Sequence, residues 1–132
     1  HVVLPGRVSR GTARLWHQAL DVFCVPRKDT GVTRAVTPMK PLEAMATSRP
    51  VLVSDLPALS EIVEDGMTGR VLPAEEPEAW AAALAALLDD PAAARGLGAR
   101  AREWVLGHRT WAANARRYDA LYRRLGVTAP SA

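Results

Sequence analysis

The sequence predicts an α/β domain built on a doubly wound parallel sheet. Short apolar runs alternate with helix-period segments as far as Pro73, and beyond it the periodicity is helical only. The length of 132 residues supplies the core of one domain.

Val2 to Leu4, closed by Pro5-Gly6, reads as a first strand. Thr12 to Leu20 places Ala13, Leu15, Trp16, Ala19 and Leu20 at helical spacing, and Asp21 to Val25, closed by Pro26, reads as a buried strand. Arg27 to Thr37 is polar and aperiodic, which predicts a long loop at the carboxyl end of that strand, where functional loops gather. A short helix from Met39 to Ser48 then leads to the strand Val51 to Val53. Ser54 or Asp55 is placed to cap a helix over Pro57 to Val63, and Asp65-Gly66 with Gly69 turns the chain into a fourth strand, Arg70 to Leu72. In the helical part Trp80, Leu84, Leu87 and Leu88 form one apolar face, and Leu97, Ala101, Trp104 and Val105 another. Thr110 caps a last helix with Trp111, Ala115, Tyr118, Leu121, Tyr122 and Leu125 expected inward, and Gly126 ends it. Trp80, Trp104 and Trp111 are expected as core anchors. The domain is therefore expected over residues 1–126, with 127–132 a frayed tail.

Composition excludes several classes. The 17 basic and 14 acidic residues nearly balance, with arginines spread over the C-terminal helices, which gives mild attraction to phosphate or anionic lipid and no case for nucleic acid. No apolar run approaches the roughly 20 residues of a membrane span. Cys24 is the only cysteine, so there is neither a disulfide framework nor a thiolate set for a metal, and it is expected as a buried strand thiol. His1, His17 and His108 share no ligand spacing. The chain opens at His1 on an apolar stretch and is expected to be a piece of a longer protein.

Chemistry concentrates between Thr37 and Glu43. Early helical amides around Met39 and Lys40 lack intrahelical acceptors, and Lys40 adds a full positive charge, so the segment suits a diphosphate. Pro38 and Pro41 fit a helix start, where a missing N–H costs nothing. Glu43, one turn in, is acceptor-only when ionised; it can grip the two vicinal hydroxyls of a ribose or simply face solvent.

The wording of this region adds to that reading. Lys40-Pro41-Leu42-Glu43-Ala44-Met45-Ala46, Ser54-Asp55-Leu56-Pro57-Ala58-Leu59-Ser60-Glu61-Ile62-Val63 and Asp65-Gly66-Met67-Thr68-Gly69 resemble the C-terminal domain of GT-B glycosyltransferases of the family 4 type. The resemblance starts at Gly6-Arg7-Val8 and runs through Asp21-Val22-Phe23 and Pro26 to the trailing helices. It implies a Rossmann-like half of a GT-B fold that binds a nucleotide-diphosphate sugar as donor substrate, needs no cofactor or metal, and transfers the sugar with retention to a saccharide or lipid-linked acceptor. It also implies that the N-terminal domain of the same protein, absent from this sequence, completes the site.

The family's mark is a pair of glutamates separated by seven positions. Glu43 matches the second, which the resemblance assigns to the ribose hydroxyls; the first falls on Ala35, so the sugar-side contact of the family is missing, with Arg34 beside the vacancy. The departure is read as subfamily character. Thr37, Met39, Lys40 and Leu42 fall on the diphosphate, and Arg7 and Val8 on the region bordering the base. No catalytic residue is certain within these residues. Glu61 matches a common family acid but is read as a helix-dipole partner. The family's fold implies two further strands with their helices before His1, which would separate Val2 to Leu4, at the far edge of the sheet, from Val22 to Val25, and a basic pair on the donor phosphates; neither has a counterpart in this sequence, so the isolated fold is expected to be compromised and the last helix to expose Trp111 or the tyrosines. A cytoplasmic protein touching the inner membrane peripherally is the implied setting. A non-catalytic nucleotide-binding or degenerate transferase module, which Ala35 would suit, is the alternative, and a scaffold domain using an apolar helical face is a third.

Overall fold

The computed structural model of the protein describes residues 2–127. Their regular elements, in order, are α1 (Arg10–Ala19), β1 (Phe23–Val25), α2 (Gly31–Ala35), α3 (Met39–Ala46), β2 (Val51–Ser54), α4 (Pro57–Ser60), β3 (Arg70–Leu72), α5 (Pro77–Asp89), α6 (Pro91–His108) and α7 (Trp111–Arg124). The sheet is all parallel in the order β1-β2-β3, with Phe23 opposite Val51 and Val53 opposite Val71.

That order explains the layers. Right-handed crossovers that advance the same way across a sheet put their helices on the same face, and α3 and α4 do share one. Leu42, Met45, Val51, Val53, Leu56, Leu59, Ile62, Val63, Ala101 and Val105 form the main core there, with α6 returning to close it. On the opposite face Leu52, Leu72 and Ala83 join Val22, Trp80, Leu84 and Leu87 beneath α5. The period of two in β2 produces this split: Val51 and Val53 point to one face and Leu52 to the other, so the strand is buried throughout.

Several expectations are corrected. Val2 to Leu4 forms no strand and stands exposed, 69% or more at each residue, because no neighbouring strand among the described residues takes its hydrogen bonds; the sheet has three strands among the described residues, not four. Cys24 is exposed rather than buried, since α5 covers Leu52 and Leu72 and stops short of that face of β1. Partial burial still pushes its thiol up, away from the thiolate form. The stretch from Arg27 to Thr37 contains α2, held by a reciprocal cap between Thr30 and Thr33. α3 ends at Ala46 and α4 at Ser60, short of the expected Ser48 and Val63. The N-cap of α4 is Leu56, with no side-chain cap from Ser54 or Asp55. Leu88 lies outside its expected apolar face, more than half exposed.

α7 departs most. Thr110 caps it as expected, accepting from the Ala113 amide, but only Ala113 is buried. Trp111 is 84% exposed, so it anchors no core, and Tyr118, Leu121, Tyr122 and Leu125 also face outward. The stripe is apolar as the periodicity requires; among the described residues nothing faces it. Exposure of Trp111 and the tyrosines was the other half of the expectation for this helix. Of the tail, Val127 alone lies within the described residues.

The turn before β3 gives a pH prediction. Asp65 Oδ1 accepts from the Val71 amide at 2.9 Å and from Arg70 Nε at 2.8 Å. Partial burial pushes this carboxyl up, yet the Val71 amide and the Arg70 guanidinium outweigh it and hold the carboxyl below the usual aspartate range. A carboxyl depressed in the folded state adds stability that is complete above its unfolded pKa, about 4, and is lost as pH falls through the lower folded value. Asp65→Asn is expected to lower stability at pH 7 and to lose that deficit progressively as pH falls below about 4. Urea unfolding at pH 7 and at a series of acid pH values checks this; a deficit that does not shrink in acid would refute it.

Candidate functional site

The carboxyl ends of the strands are tied together before any ligand arrives. Buried Ser54 at the end of β2 accepts from the Arg27 amide at 2.7 Å and donates to the Arg27 carbonyl at 2.9 Å, and the Asp55 amide donates to the Leu72 carbonyl at 2.6 Å. Arg27 then reaches across α2 to donate to the Val36 carbonyl at 2.8 Å. Arg34 grips Asp29 with two hydrogen bonds of 2.6 and 2.7 Å. The hydrogen bond from Arg34 and its charge hold the Asp29 carboxyl below the usual range. The long segment after β1 is thus a built ledge that leads into α3.

The start of α3 is open. Pro38 is its N-cap, and no side chain caps it. Of the first four positions whose amides lack an intrahelical acceptor, Pro38 and Pro41 carry no N–H, which leaves those of Met39 and Lys40. Both residues are exposed, whereas the Leu42 side chain lies in the core and its amide stands where the helical ladder ordinarily begins. Thr37, just before the helix, donates to Glu61 Oε2 at 3.5 Å.

Glu43 is one turn further, with its side chain 58% exposed while its neighbours Leu42, Ala44 and Met45 are buried. Its face of α3, with Ala46 and Thr47, forms one wall of a groove of about 490 Å³. The other wall is α1, through Arg10, Ala13, Arg14 and His17. Arg7 and Val8 precede α1 outside regular structure and are exposed; Ala35 and Arg34 end α2, both exposed, with Arg34 engaged by Asp29.

Two features escaped the sequence reading. His17, set aside there, sits with Nδ1 4.0 Å from Glu43 Oε2. Its signal was the basic stripe Arg10, Arg14, His17 along one face of a helix whose partner was unknown. Glu61, read as a dipole partner, instead takes Thr37 on one oxygen and Arg109 on the other at 3.0 Å, and Arg109 lies over the Trp104 ring at 5.6 Å. Among the described residues no three His, Cys, Asp or Glu side chains gather as a metal-ligating group, and no helix is long and apolar enough to cross a membrane.

The sequence profile described as Glycosyl transferases group 1 matches residues 1–90. The chain belongs to that family. Among curated members it is 35% identical over 117 residues to the lipopolysaccharide core biosynthesis mannosyltransferase LpsB of Rhizobium meliloti (strain 1021), covering 83% of this chain and 30% of that protein. The solved sucrose-phosphate synthase of Thermosynechococcus elongatus superposes with a TM-score of 0.73 at 32% identity, over 91% of this chain and 29% of that one. The C-terminal domain of the group 1 glycosyltransferase LpcC from Francisella tularensis matches in fold with a TM-score of 0.71 at 18% identity, over 82% and 53% of the two chains. The chain therefore spans about a third of the group 1 mannosyltransferase it matches. Its three parallel strands and flanking helices are those of the C-terminal, Rossmann-like half of GT-B group 1 transferases.

Proposed function

We propose that residues 1–126 form the donor-binding domain of a retaining glycosyltransferase that moves a sugar from a nucleotide-diphosphate sugar to a saccharide or lipid-linked acceptor. The observation that carries this is an exposed Glu43 one turn into an uncapped helix at the carboxyl edge of a parallel sheet, where ligands of such sheets dock. The Met39 and Lys40 amides and the Lys40 ammonium suit the diphosphate, with Thr37 beside them. The Glu43 carboxylate accepts from the ribose diol, and Arg7 and Val8 border the base.

Catalysis follows from where charge develops. As the glycosidic bond lengthens, negative charge grows on the leaving diphosphate, and fixed positive groups at the start of α3 favour that state over the ground state. These groups do for the leaving group what a metal does elsewhere, so transfer is expected to persist in a chelator. Ala35 provides no carboxylate for the sugar, so its positioning falls to Arg34 or to residues of the N-terminal domain, which also receives the acceptor. The LpsB relative is named as a mannosyltransferase of lipopolysaccharide core biosynthesis, which supports an acceptor of the saccharide or lipid-linked class. An acceptor of that kind would suit a cytoplasmic protein with peripheral contact at the inner membrane.

Uridine and guanosine diphosphate binding to the full-length protein tests the reading. Glu43→Ala is expected to weaken the better nucleotide about ten- to a hundred-fold, the range for losing hydrogen bonds to a charged group. Unchanged affinity would remove the donor site from this groove. Ala35 favours one second reading, a nucleotide-binding module without transfer; it predicts the same loss on Glu43→Ala together with no turnover of any donor.

A further inference from the structure

We infer that His17 is a positioning residue for Glu43, fixing the carboxylate from the opposite wall of the groove so that it meets its ligand in one orientation. This rests on the reading of Glu43 as the group that accepts from the nucleotide. Glu43 needs such a partner, since a glutamate on an exposed helix face samples many rotamers and loses that freedom on binding. His17 is built to provide it. Its side chain is only 17% exposed, and its ring meets Phe23 edge-on at 5.2 Å between centroids, so β1 sets the direction in which Nδ1 points. That direction is Glu43 Oε2 at 4.0 Å, an ion-pair separation rather than a hydrogen bond.

One oxygen is thereby held on the α1 side while the other, and the remaining lone pairs, stay available to two hydroxyl donors. Among the described residues the other charged groups lining this groove are Arg14 and Arg10, one and two turns back on the same helix, while the Phe23 ring of β1 backs the imidazole. The pairing couples the two side chains, so what His17 contributes to nucleotide affinity passes through the Glu43 carboxylate.

The test is a double-mutant cycle on the affinity of the full-length protein for uridine or guanosine diphosphate, whichever binds better, with wild type, His17→Gln, Glu43→Gln and the double variant. His17→Gln is expected to weaken the nucleotide about two- to five-fold, the span of partly exposed ion pairs, and to change nothing further in the Glu43→Gln background. Equal losses in the two backgrounds, or no loss in either, with Glu43→Ala still weakening the nucleotide, overturn the role of His17 alone; no effect of Glu43→Ala overturns the donor reading beneath it. If His17→Gln does not fold, His17→Asn is carried through the same cycle, because a merely structural histidine costs the same with and without the Glu43 carboxylate.

Discussion

Gly98→Ala is expected to destabilise the protein by about 1–3 kcal/mol or more, against the direction that helix propensity alone dictates. Gly98 lies in the interior of α6, where alanine is ordinarily better than glycine by roughly 0.5–1 kcal/mol. Here α6 passes beneath the end of α3, and a Cβ on Gly98 would overlap the Ser48 carbonyl oxygen and stand 2.8 Å from Ser48 C and 3.3 Å from Pro50 N. All three are backbone atoms. Ser48 is already in the left-handed region with φ of 59°, and Pro50 leads directly into buried β2, so neither yields without moving the sheet. The clash wins because it must displace backbone, whereas the propensity gain is fixed and small. Gly107, on the same helix with nothing within 4 Å of its would-be Cβ, is the control: Gly107→Ala is expected to be neutral or stabilising by up to about 1 kcal/mol. Denaturant titrations of the two variants decide the point, and Gly98→Ala matching Gly107→Ala would show that α6 has room to move.

Met45→Ala is expected to cost about 2–5 kcal/mol. Met45 is fully buried in the main core between α3, the sheet and the returning α6. Truncation removes its contacts and leaves a cavity that a backbone bounded by β2 and α6 closes poorly. The same helix carries Glu43 and the open N-terminus, so nucleotide affinity is expected to fall alongside stability although Met45 touches no ligand. Met39, exposed at the start of the helix, is the comparison: Met39→Ala is expected within about 0.5 kcal/mol of wild type. Calorimetric melting of both variants measures the difference, and equal melting temperatures would mean that α3 is not the keystone of this core.

Much of the fold was legible where periodicity and punctuation agreed. β3 lies where it was expected, and β2 runs one residue longer, because a short apolar run bounded by proline or glycine has few other fates. The capped start of α7 and the core faces of α5 and α6 were equally clear, apart from Leu88. Val2 to Leu4 misled because an apolar triplet becomes a strand only with a neighbour to pair with, and sequence does not say which neighbour is at hand. The outward stripe of α7 failed for the same reason: periodicity names the apolar face, not what covers it. α2 escaped notice because its cap uses Thr33 where glutamate or glutamine usually signals the box. At the candidate site the linear segment Thr37 to Glu43 was readable, whereas His17 and Arg109 were not, since each meets its partner through tertiary packing of helices whose mutual register no local pattern encodes.

The double engagement of Ser54 has a thermodynamic consequence. Because one hydroxyl both accepts from and donates to Arg27, the ends of β1 and β2 behave as one rigid edge, and the ledge that leads to α3 hangs from it. A ligand docking there meets groups whose backbone is already ordered, so association at this edge carries little of the ordering entropy that a loose loop would impose. The heat of binding should then report mainly the contacts made, with a heat-capacity change in keeping with the small surface of a nucleotide and no signature of a folding segment.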